Sequence, residues 1–423
     1  MRVLRWAIAL LLLAAVGFAV FLVFWAIPQA PTRVVDRTPA LIAKGAYLAK
    51  AGDCVSCHTA EGGVPYAGGR ALATPFGTIY ASNITPDTEH GIGAYSPDDF
   101  YNALHYGAVD LFAPLYPAMP YTSFHEVTQP DTDALYAYFM SLEPVAEENK
   151  APKMGFPYNI RPLMYGWNLM FAEREPFEPD TSRSEAWNRG AYLVVGLGHC
   201  GECHTPRGLM GQMKEDEKFA GSLLNGLEAP DIRAASLAER GWTQAQLVTY
   251  FQTGESPHGT AFGEMFLAVK NSLRKLTDSD LEAIALYLMD GAEAAKPAAS
   301  APTHKAEATR DGEELYAAYC AQCHGAEGRG MVNVFPPLVD NSTVAEKDGV
   351  NLIAVMANGI QPETSSTTLA YGPMPAFRDR MSAAEMAELA NYVRATFARD
   401  ASSLAELTKA DAARVLKETA GAE

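Results

Sequence analysis

The sequence is poor in cysteine and in positive charge. It has 6 cysteines in 423 residues, and 33 lysines and arginines stand against 50 aspartates and glutamates. The formal net charge of −17 argues against a nucleic-acid-binding protein, whose surface needs a positive excess. With 48% hydrophobic and 20% charged residues, the composition is that of a folded protein. A chain of this length exceeds the size of one hydrophobic core, so we expect two to four domains.

The few cysteines form three pairs, and none is left over. Each pair is separated by two residues and followed directly by histidine: Cys54, Cys57 and His58; Cys200, Cys203 and His204; Cys320, Cys323 and His324. This is the pattern of c-type haem attachment. Two thiols on one turn bond to the two vinyl groups of a porphyrin, and the next residue offers an imidazole to the iron. The sequence therefore predicts three covalently bound haem c groups, with His58, His204 and His324 as proximal ligands.

Zinc binding and disulfide formation fit these pairs less well. Two Cys-x-x-Cys pairs can build one tetrahedral zinc site, but three pairs make an odd number of half-sites. A disulfide within each pair would close a strained short loop, and it would leave three adjacent histidines as coincidence.

A long uncharged segment stands near the N-terminus. Ala7 to Ile27 is 21 residues without a charge, which is long enough to cross a hydrocarbon core of about 30 Å. A cleaved signal peptide is the alternative, but its apolar core is usually about 7–15 residues, and Pro31 disfavours cleavage after Ala30. We therefore predict a single membrane anchor.

The charges beside this anchor do not orient it. Arg2 and Arg5 precede it, and Arg33 and Arg37 follow it. Because c-type haem is attached outside the cytoplasm, the haem modules are expected in the periplasm of a bacterium. The N-terminus is then inside and the chain crosses the inner membrane once.

The same order of elements recurs around each haem site, as in a tandem repeat. A short helix precedes the cysteines and carries Gly45, Gly190 or Gly312. Two predicted helices follow each site. The middle helices span Ser96 to Tyr106, Thr243 to Thr253 and Asn351 to Asn358, and the last helices span Asp131 to Leu142, Thr277 to Met289 and Ser382 to Phe397. Thr277 and Ser382 have the pattern of capping boxes, and Tyr138, Tyr287 and Tyr392 are expected to pack against the first helices. The predicted fold is mainly α, with three class I cytochrome c modules in tandem after one transmembrane helix.

Methionines at matched spacings are the predicted sixth ligands of the irons. Met119 lies 61 residues after His58, Met265 lies 61 after His204, and Met374 lies 50 after His324. A methionine thioether opposite histidine raises the potential of a cytochrome c. Histidine could replace methionine, with His105, His125 and His258 as candidates, but these are better explained as exposed or hydrogen-bonded loop residues. His199 is interpreted as a neighbour of the second site rather than a ligand.

The repeat divides the chain. The predicted parts are 1–28, the cytoplasmic N-terminus and anchor; 41–142, module one; 143–180, a connecting segment; 181–291, module two; 292–309, a flexible linker; 310–399, module three; and 400–423, a C-terminal tail. The connecting segment is rich in proline and aromatic residues, so we expect it to pack, with a partner interface as the alternative. The tail is expected to be a solvated helix, with a docking helix as the alternative.

Several motifs resemble those of a known family. They are Phe76 to Pro86 (FGTIYASNITP), Ala118 to Tyr121 (AMPY), Trp187 to Leu193 (WNRGAYL) and Gly198 to Cys200 (GHC). From Leu41 to Phe397 the chain resembles the cytochrome c subunit of membrane-bound alcohol, aldehyde, gluconate or sorbitol dehydrogenases. The resemblance implies a catalytic partner subunit with a quinone cofactor, a flavin or a molybdenum centre, which oxidises an alcohol, aldehyde or sugar acid. This chain would pass its electrons to ubiquinone or a terminal oxidase, without catalytic residues of its own.

Two other functions are compatible with these residues. The chain could be a haem enzyme with one open coordination site, in which case Met265 is the least supported ligand. It could also be a stand-alone membrane electron shuttle without a dedicated dehydrogenase.

Overall fold

The computed structural model describes residues 33–108, 114–224, 226–294, 310–331, 334–360 and 372–420, with scattered positions between 5 and 21. The predicted linker 292–309 lies almost entirely outside these residues. So does much of the predicted anchor, and no helix among the described residues is long and apolar enough to cross a membrane.

The described chain is mainly helical and divides into two compact units. One unit comprises Met1–Arg183 and Ala191–His199, and the other comprises Ser184–Gly190 and Cys200–Glu423. The sequence predicted three modules; the described part of the third and most of the second fall in the second unit, whereas Ala191–His199 of the second belong to the first unit. The count of three modules therefore stays a prediction.

The first unit contains short helices around a small antiparallel sheet. Its helices are α1 (Pro39–Ala51), α2 (Cys54–Cys57), α3 (Pro97–Tyr106), α4 (Tyr121–Phe124), α5 (Gln129–Phe139) and α6 (Met164–Phe171). Its strands, in the order β1-β2-β3, are Ala71–Thr74, Gly77–Tyr80 and Lys153–Met154. Leu72 pairs with Ile79, and Gly77 pairs with Met154, so the connecting segment supplies the third strand. A helix α7 (Glu185–Tyr192) begins in the second unit and ends in the first.

The second unit has the same kinds of element. Its further helices are α8 (Cys200–His204), α9 (Ala234–Glu239), α10 (Gln244–Thr253), α11 (Gly263–Asn271), α12 (Asp278–Met289), α13 (Arg310–Tyr319), α14 (Ala321–His324), α15 (Val350–Asn358), α16 (Ala383–Phe397) and α17 (Lys409–Glu418). Two hairpins complete it, β4 (Ser222–Leu224) with β5 (Leu227–Ala229) and β6 (Glu255–Ser256) with β7 (Gly259–Thr260).

The first and last helices of each repeat cross at a glycine. A Cβ added at Gly45 would overlap the carbonyl oxygen of Ala134 in α5, and one at Gly190 would overlap that of Ala283 in α12. At Gly312 the same atom would lie 2.7 Å from the carbonyl oxygen of Glu388 in α16. The Cβ atoms of Tyr138, Tyr287 and Tyr392 would also be close to the added atom, at 2.7, 2.9 and 2.8 Å. The predicted packing of these tyrosines against the first helices is therefore confirmed.

Two of the three predicted middle helices, α3 and α10, are capped at both ends. Ser96 and Thr243 accept hydrogen bonds from the backbone three residues on, and both form complete capping boxes. Gly107 and Gly254 end these helices in the left-handed conformation, with φ of 61° and 81°.

The capping box predicted at Ser382, before α16, is complete. At Thr277 it is half formed, because the carboxylate of Asp280 binds the guanidinium of Arg189 instead.

The C-terminal tail is not the solvated helix that was expected. In α17, Ala412 and Val415 are 0% and 1% exposed, and they belong to the hydrophobic core that α15 and α16 share. Arg378 donates hydrogen bonds to the carbonyl of Leu416 and to the hydroxyl of Thr419. The alternating charges that suggested solvation lie on one face of a helix whose other face is buried.

A buried polar junction joins segments of modules two and three within the second unit. Asn351 exchanges two hydrogen bonds with the backbone of Glu228, at 2.9 and 2.7 Å. Its amide groups also donate to the carboxylate of Glu346, at 2.8 and 2.6 Å. Burial and the nearby carboxylate of Glu228 hold the pKa of Glu346 well above its usual value. Arg240 and Arg394 interact electrostatically with this carboxylate.

Candidate haem sites

The first Cys-x-x-Cys-His site lies on α2, directly after α1. Asp53 precedes the helix with a φ of 47°, so the chain turns sharply before Cys54. The Nδ1 atom of His58 is 2.7 Å from the carbonyl oxygen of Ser82. A carbonyl can only accept, so Nδ1 carries the proton and Nε2 is left with a lone pair.

The second and third sites repeat this arrangement. His204, at the end of α8, has its Nδ1 atom 2.7 Å from the carbonyl oxygen of Pro230. His324, at the end of α14, has its Nδ1 atom 2.9 Å from the carbonyl oxygen of Pro336. All three imidazoles therefore have the same tautomer and offer Nε2 as a metal ligand.

Burial keeps these imidazoles neutral. It lowers the pKa of His58, His204 and His324, although the carbonyl bonds act in the opposite direction. A neutral imidazole is the form that binds a metal ion, so the predicted proximal residues are already in the required protonation state.

Burial acts on the cysteines as well. It raises the pKa of Cys54, Cys200 and Cys203 to about 12 and that of Cys320 to about 11. None of the six, all of which the structure describes, forms a disulfide. Within the described residues there is also no group of three or more His, Cys, Asp or Glu side chains that could hold a metal ion.

The third site opens into a largely apolar cavity. Cys320, Cys323, His324 and Met374 all line it. Met374 is held by two backbone hydrogen bonds with Ile360, at 2.8 and 3.0 Å. The remaining wall is apolar and includes Phe335, Ala354, Val355, Ile360 and Phe377. The residue types fit a covalently held haem, which Cys320 and Cys323 would tether and His324 and Met374 would bind.

Module two contributes to the same cavity. Thr260, Phe262 and Phe266 line it from the hairpin β6-β7 and the start of α11. Met265 lies in the same helical turn but does not line this cavity, and its neighbour Glu264 acts electrostatically on Cys203. The first turn of α11 therefore lies near both the second and the third site, and Met265 does not line the third cavity.

Met119 lies in an apolar cluster of the first unit. Its neighbours there include Tyr116, Tyr121, Met164 and Trp167, of which Met164 and Trp167 belong to α6. The hydroxyl of Tyr121 donates to the side-chain oxygen of Asn168 at 2.7 Å, which ties the connecting segment to the loop of Met119.

The histidines considered as alternative ligands are buried, and two of them make a polar contact through one ring nitrogen. His105 contacts the hydroxyl of Thr132 through Nε2 at 2.9 Å, and burial lowers its pKa to about 3. The Nδ1 atom of His258 is 3.1 Å from the carbonyl oxygen of Asp340. His105, His125 and His258 are 2%, 4% and 5% exposed, so they are buried rather than exposed loop residues. The ring of His199 meets that of Phe124 edge-on at 5.5 Å.

Sequence reasoning missed two parts of these sites. The carbonyls of Ser82, Pro230 and Pro336 orient the imidazoles, but a backbone acceptor leaves no trace in residue type. The residues that module two adds to the third cavity were also missed. Phe262 and Phe266 lie near His324 only because the chain folds back, and no local pattern encodes that contact.

Comparison with known proteins agrees with this chemistry. Residues 307–393 match the family model described as cytochrome c oxidase, cbb3-type, subunit III. The chain is 39% identical to the cytochrome c subunit of the quinone alcohol dehydrogenase of Gluconobacter oxydans, over 85% of this chain and 79% of that protein. It is 37% identical to the cytochrome c subunit of gluconate 2-dehydrogenase of Pantoea cypripedii, over 90% of each.

A further relative is much longer than this chain. It is a subunit of the nicotinate dehydrogenase of Pseudomonas putida, 43% identical over 88% of this chain, and the match spans 32% of that protein. The chain thus corresponds to about a third of the length of this relative.

Proposed function

The chain belongs to the family of cytochrome c subunits of dehydrogenase complexes, and from this premise we propose that it is a membrane-anchored triheme electron-transfer subunit. In this proposal a catalytic partner oxidises an alcohol, aldehyde or sugar acid in the periplasm. The chain accepts the electrons and passes them to ubiquinone or a terminal oxidase. The observation that carries the proposal is the third cavity, in which the Cys-x-x-Cys-His site and Met374 line one apolar space.

Each module supplies the same set of residues for one haem c. The cysteine pairs tether the group, and His58, His204 and His324 bind the iron through Nε2. Met119, Met265 and Met374 are the proposed distal ligands. When bound, haem would supply one-electron chemistry at iron, and the three histidines and three methionines would hold it. The protein's own part is to exclude water with apolar walls and to hold the imidazoles in one tautomer.

The haem count is tested by intact mass of the periplasmically matured protein. We expect the polypeptide mass plus three haem increments. Changing Cys320 and Cys323 together to alanine should remove one increment and leave two, because the sites are separate. A matured protein with fewer than three increments would contradict the triheme assignment.

Ligation by methionine is tested at the site with the clearest geometry. Met374→Ala should lower the potential of one haem and remove its long-wavelength sulfur-to-iron absorption band. Met356→Ala is the matched control, since Met356 is 3% exposed in the same core and does not line the cavity. It should lower stability without moving the potential or the band. Equal effects of the two substitutions would refute the assignment of Met374.

The membrane part of the proposal rests on the uncharged segment from Ala7 to Ile27. Extraction of the full chain from membranes should need detergent rather than high salt or alkali. Purification of the complex should yield a larger catalytic subunit, and its substrate should reduce the haems. Recovery of the chain without any dehydrogenase would favour the stand-alone shuttle instead. A high-spin ferric haem that binds cyanide or carbon monoxide would favour a haem enzyme.

A further inference from the structure

The second unit contains a buried carboxyl group that the proposed function does not use. Glu346 is 9% exposed, and both of its side-chain hydrogen bonds come from Asn351. The backbone amide of Asn351 donates to Oε2 at 2.8 Å, and the side-chain amide donates to Oε1 at 2.6 Å. Both donors are neutral, and within the described part of the chain this carboxylate forms no ion pair. A buried carboxyl group without a cationic partner is the kind whose protonation changes near neutral pH.

Charges of both signs surround this carboxyl group. Those that interact with it electrostatically are Glu228, Asp348, Arg240 and Arg394, and Lys347 interacts with Glu228. Arg394 donates to the backbone carbonyls of Glu346 and Lys347, at 3.0 and 2.7 Å. Arg240 donates to the carbonyl of Asp231. Both guanidinium groups therefore bind backbone rather than the Glu346 carboxylate, and burial with the Glu228 carboxylate raises its pKa in spite of them.

Protons have a short route to Glu346 from solvent. Lys347 and Asp348, the next two residues in the chain, are both exposed. The buried side chain thus belongs to a segment that reaches the surface within one residue. Exchange of a proton with water needs no long internal pathway.

Two elements connect this carboxyl group to the third cavity. Asn351 lies in the first turn of α15, and Ala354, three residues on, lines the cavity. Leu227 lines it as well and directly precedes Glu228, whose backbone amide and carbonyl both bind Asn351. The cavity wall is largely apolar, and charges on its two sides interact more strongly there than they would across water. A change of charge in the third site should therefore act on Glu346.

We propose that Glu346 binds a proton when the third haem site is reduced and releases it when the site is oxidised. One electron that enters the site lowers its charge by one unit, which removes an attraction that favours the carboxylate. One proton from solvent then bonds to a carboxylate oxygen and forms the neutral acid. Oxidation reverses both steps, so electron and proton balance. This inference rests on the proposed function, because it requires haem at the third site.

The proposal fixes how the reduction potential of the third haem depends on pH. Electron and proton must favour each other equally, because linkage is reciprocal. The potential should therefore fall as the pH rises through the range in which Glu346 titrates. The limit is about 59 mV for each tenfold fall in proton concentration, which corresponds to one proton per electron. Glu346→Gln removes the charge at every pH, so it should keep the potential at the high value that the parent has in acid.

The test is redox titration of the full haem-loaded chain between about pH 5 and pH 9. One potential should fall with rising pH in the parent and stay high in Glu346→Gln. Glu406→Gln is the matched control: Glu406 is exposed in the same unit, so the same charge is removed where water screens it, and the profile of the parent should remain. A profile like that of the parent in Glu346→Gln would overturn the inference and assign the proton to another group.

A second variant separates Glu346 from its acidic neighbour. Glu228→Gln removes a carboxylate that raises the pKa of Glu346, so the fall in potential should move to lower pH and remain. Disappearance of the fall would identify Glu228 as the proton-binding group instead. Changing Cys320 and Cys323 together to alanine should remove the pH-dependent potential with the third haem. Its persistence would assign the effect to another haem and refute the proposal.

Infrared spectroscopy of the parent needs no variant that must fold. The reduced-minus-oxidised difference spectrum should contain the C=O stretch of a newly protonated carboxyl group, and absence of this band would overturn the inference. Intact mass distinguishes this outcome from failure of the proposed function. A chain that lacks the third haem increment would contradict the proposed function. Three increments with a third potential that does not change with pH would overturn only the role of Glu346.

Discussion

Because α1 and α5 cross closely at Gly45, we predict that replacing this glycine by alanine lowers stability, whereas the same replacement at Gly166 does not. In Gly45→Ala the new methyl group would overlap the carbonyl oxygen of Ala134 and lie 2.7 Å from the Cβ of Tyr138. Gly166, in α6 of the same unit, has no heavy atom within 4 Å of an added Cβ. Both glycines lie in helices, so the higher helix propensity of alanine favours both substitutions equally.

The expected magnitudes follow from these contacts. Alanine favours a helix interior over glycine by about 1 kcal/mol, which is the upper limit of the gain at Gly166. At Gly45 the two backbones must move apart, and overpacking of this kind costs about 1–3 kcal/mol or more. Because the obstacle is backbone rather than a side chain that can rotate, we place the cost at the upper end. Gly45→Ala should therefore lower the free energy of unfolding of the first unit by about 2 kcal/mol.

The assay is urea unfolding of the full haem-loaded chain, with pulse proteolysis and mass spectrometry to follow peptides of the first unit. Gly166→Ala should equal or exceed the parent in stability, and Gly45→Ala should fall below it. The equivalent substitution Gly190→Ala should destabilise the second unit in the same way, because a Cβ there would overlap the carbonyl oxygen of Ala283. If Gly45→Ala were as stable as Gly166→Ala, the reasoning on close helix approach would be refuted.

Two other predictions concern the second unit. The raised pKa values of Glu346, and of Glu228 at about 6, mean that the folded state binds protons more tightly than the unfolded chain. This contribution to stability is complete below about pH 4.5 and is lost as the pH rises through 6. The buried histidines, whose pKa values are lowered, act in the opposite direction over the same range, so the measurement compares the parent with Glu346→Gln. The free energy of unfolding of the parent relative to the variant should fall between about pH 4.5 and 6, and a difference that does not change with pH would contradict the prediction. Separately, Val415→Ala should cost about 2 kcal/mol because Val415 is buried against the core, while Lys417→Ala on the exposed side should cost almost nothing. Equal losses would mean that α17 does not dock as described.

The cysteine and histidine patterns needed no tertiary information. Covalent attachment requires two thiols and an imidazole within five consecutive residues, so all of its chemistry is local in the chain. The helices with strong caps were also predictable. Ser96, Thr243 and Ser382 are N-caps, whose side chains accept hydrogen bonds from backbone amides only three residues ahead. The helices begin at the next residue.

Contacts between distant segments were decided by the tertiary structure alone. The bond from His204 to Pro230 and the placement of Phe262 beside the third cavity depend on how the chain returns, which residue types do not record. The C-terminal tail is another case in which residue types did not predict a contact with distant segments. Its charges suggested solvation, but burial of Ala412 and Val415 depends on a groove that α15 and α16 form together. Sequence determined which groups could bind haem, because that chemistry is local; packing decided what surrounds them, because burial depends on the whole fold.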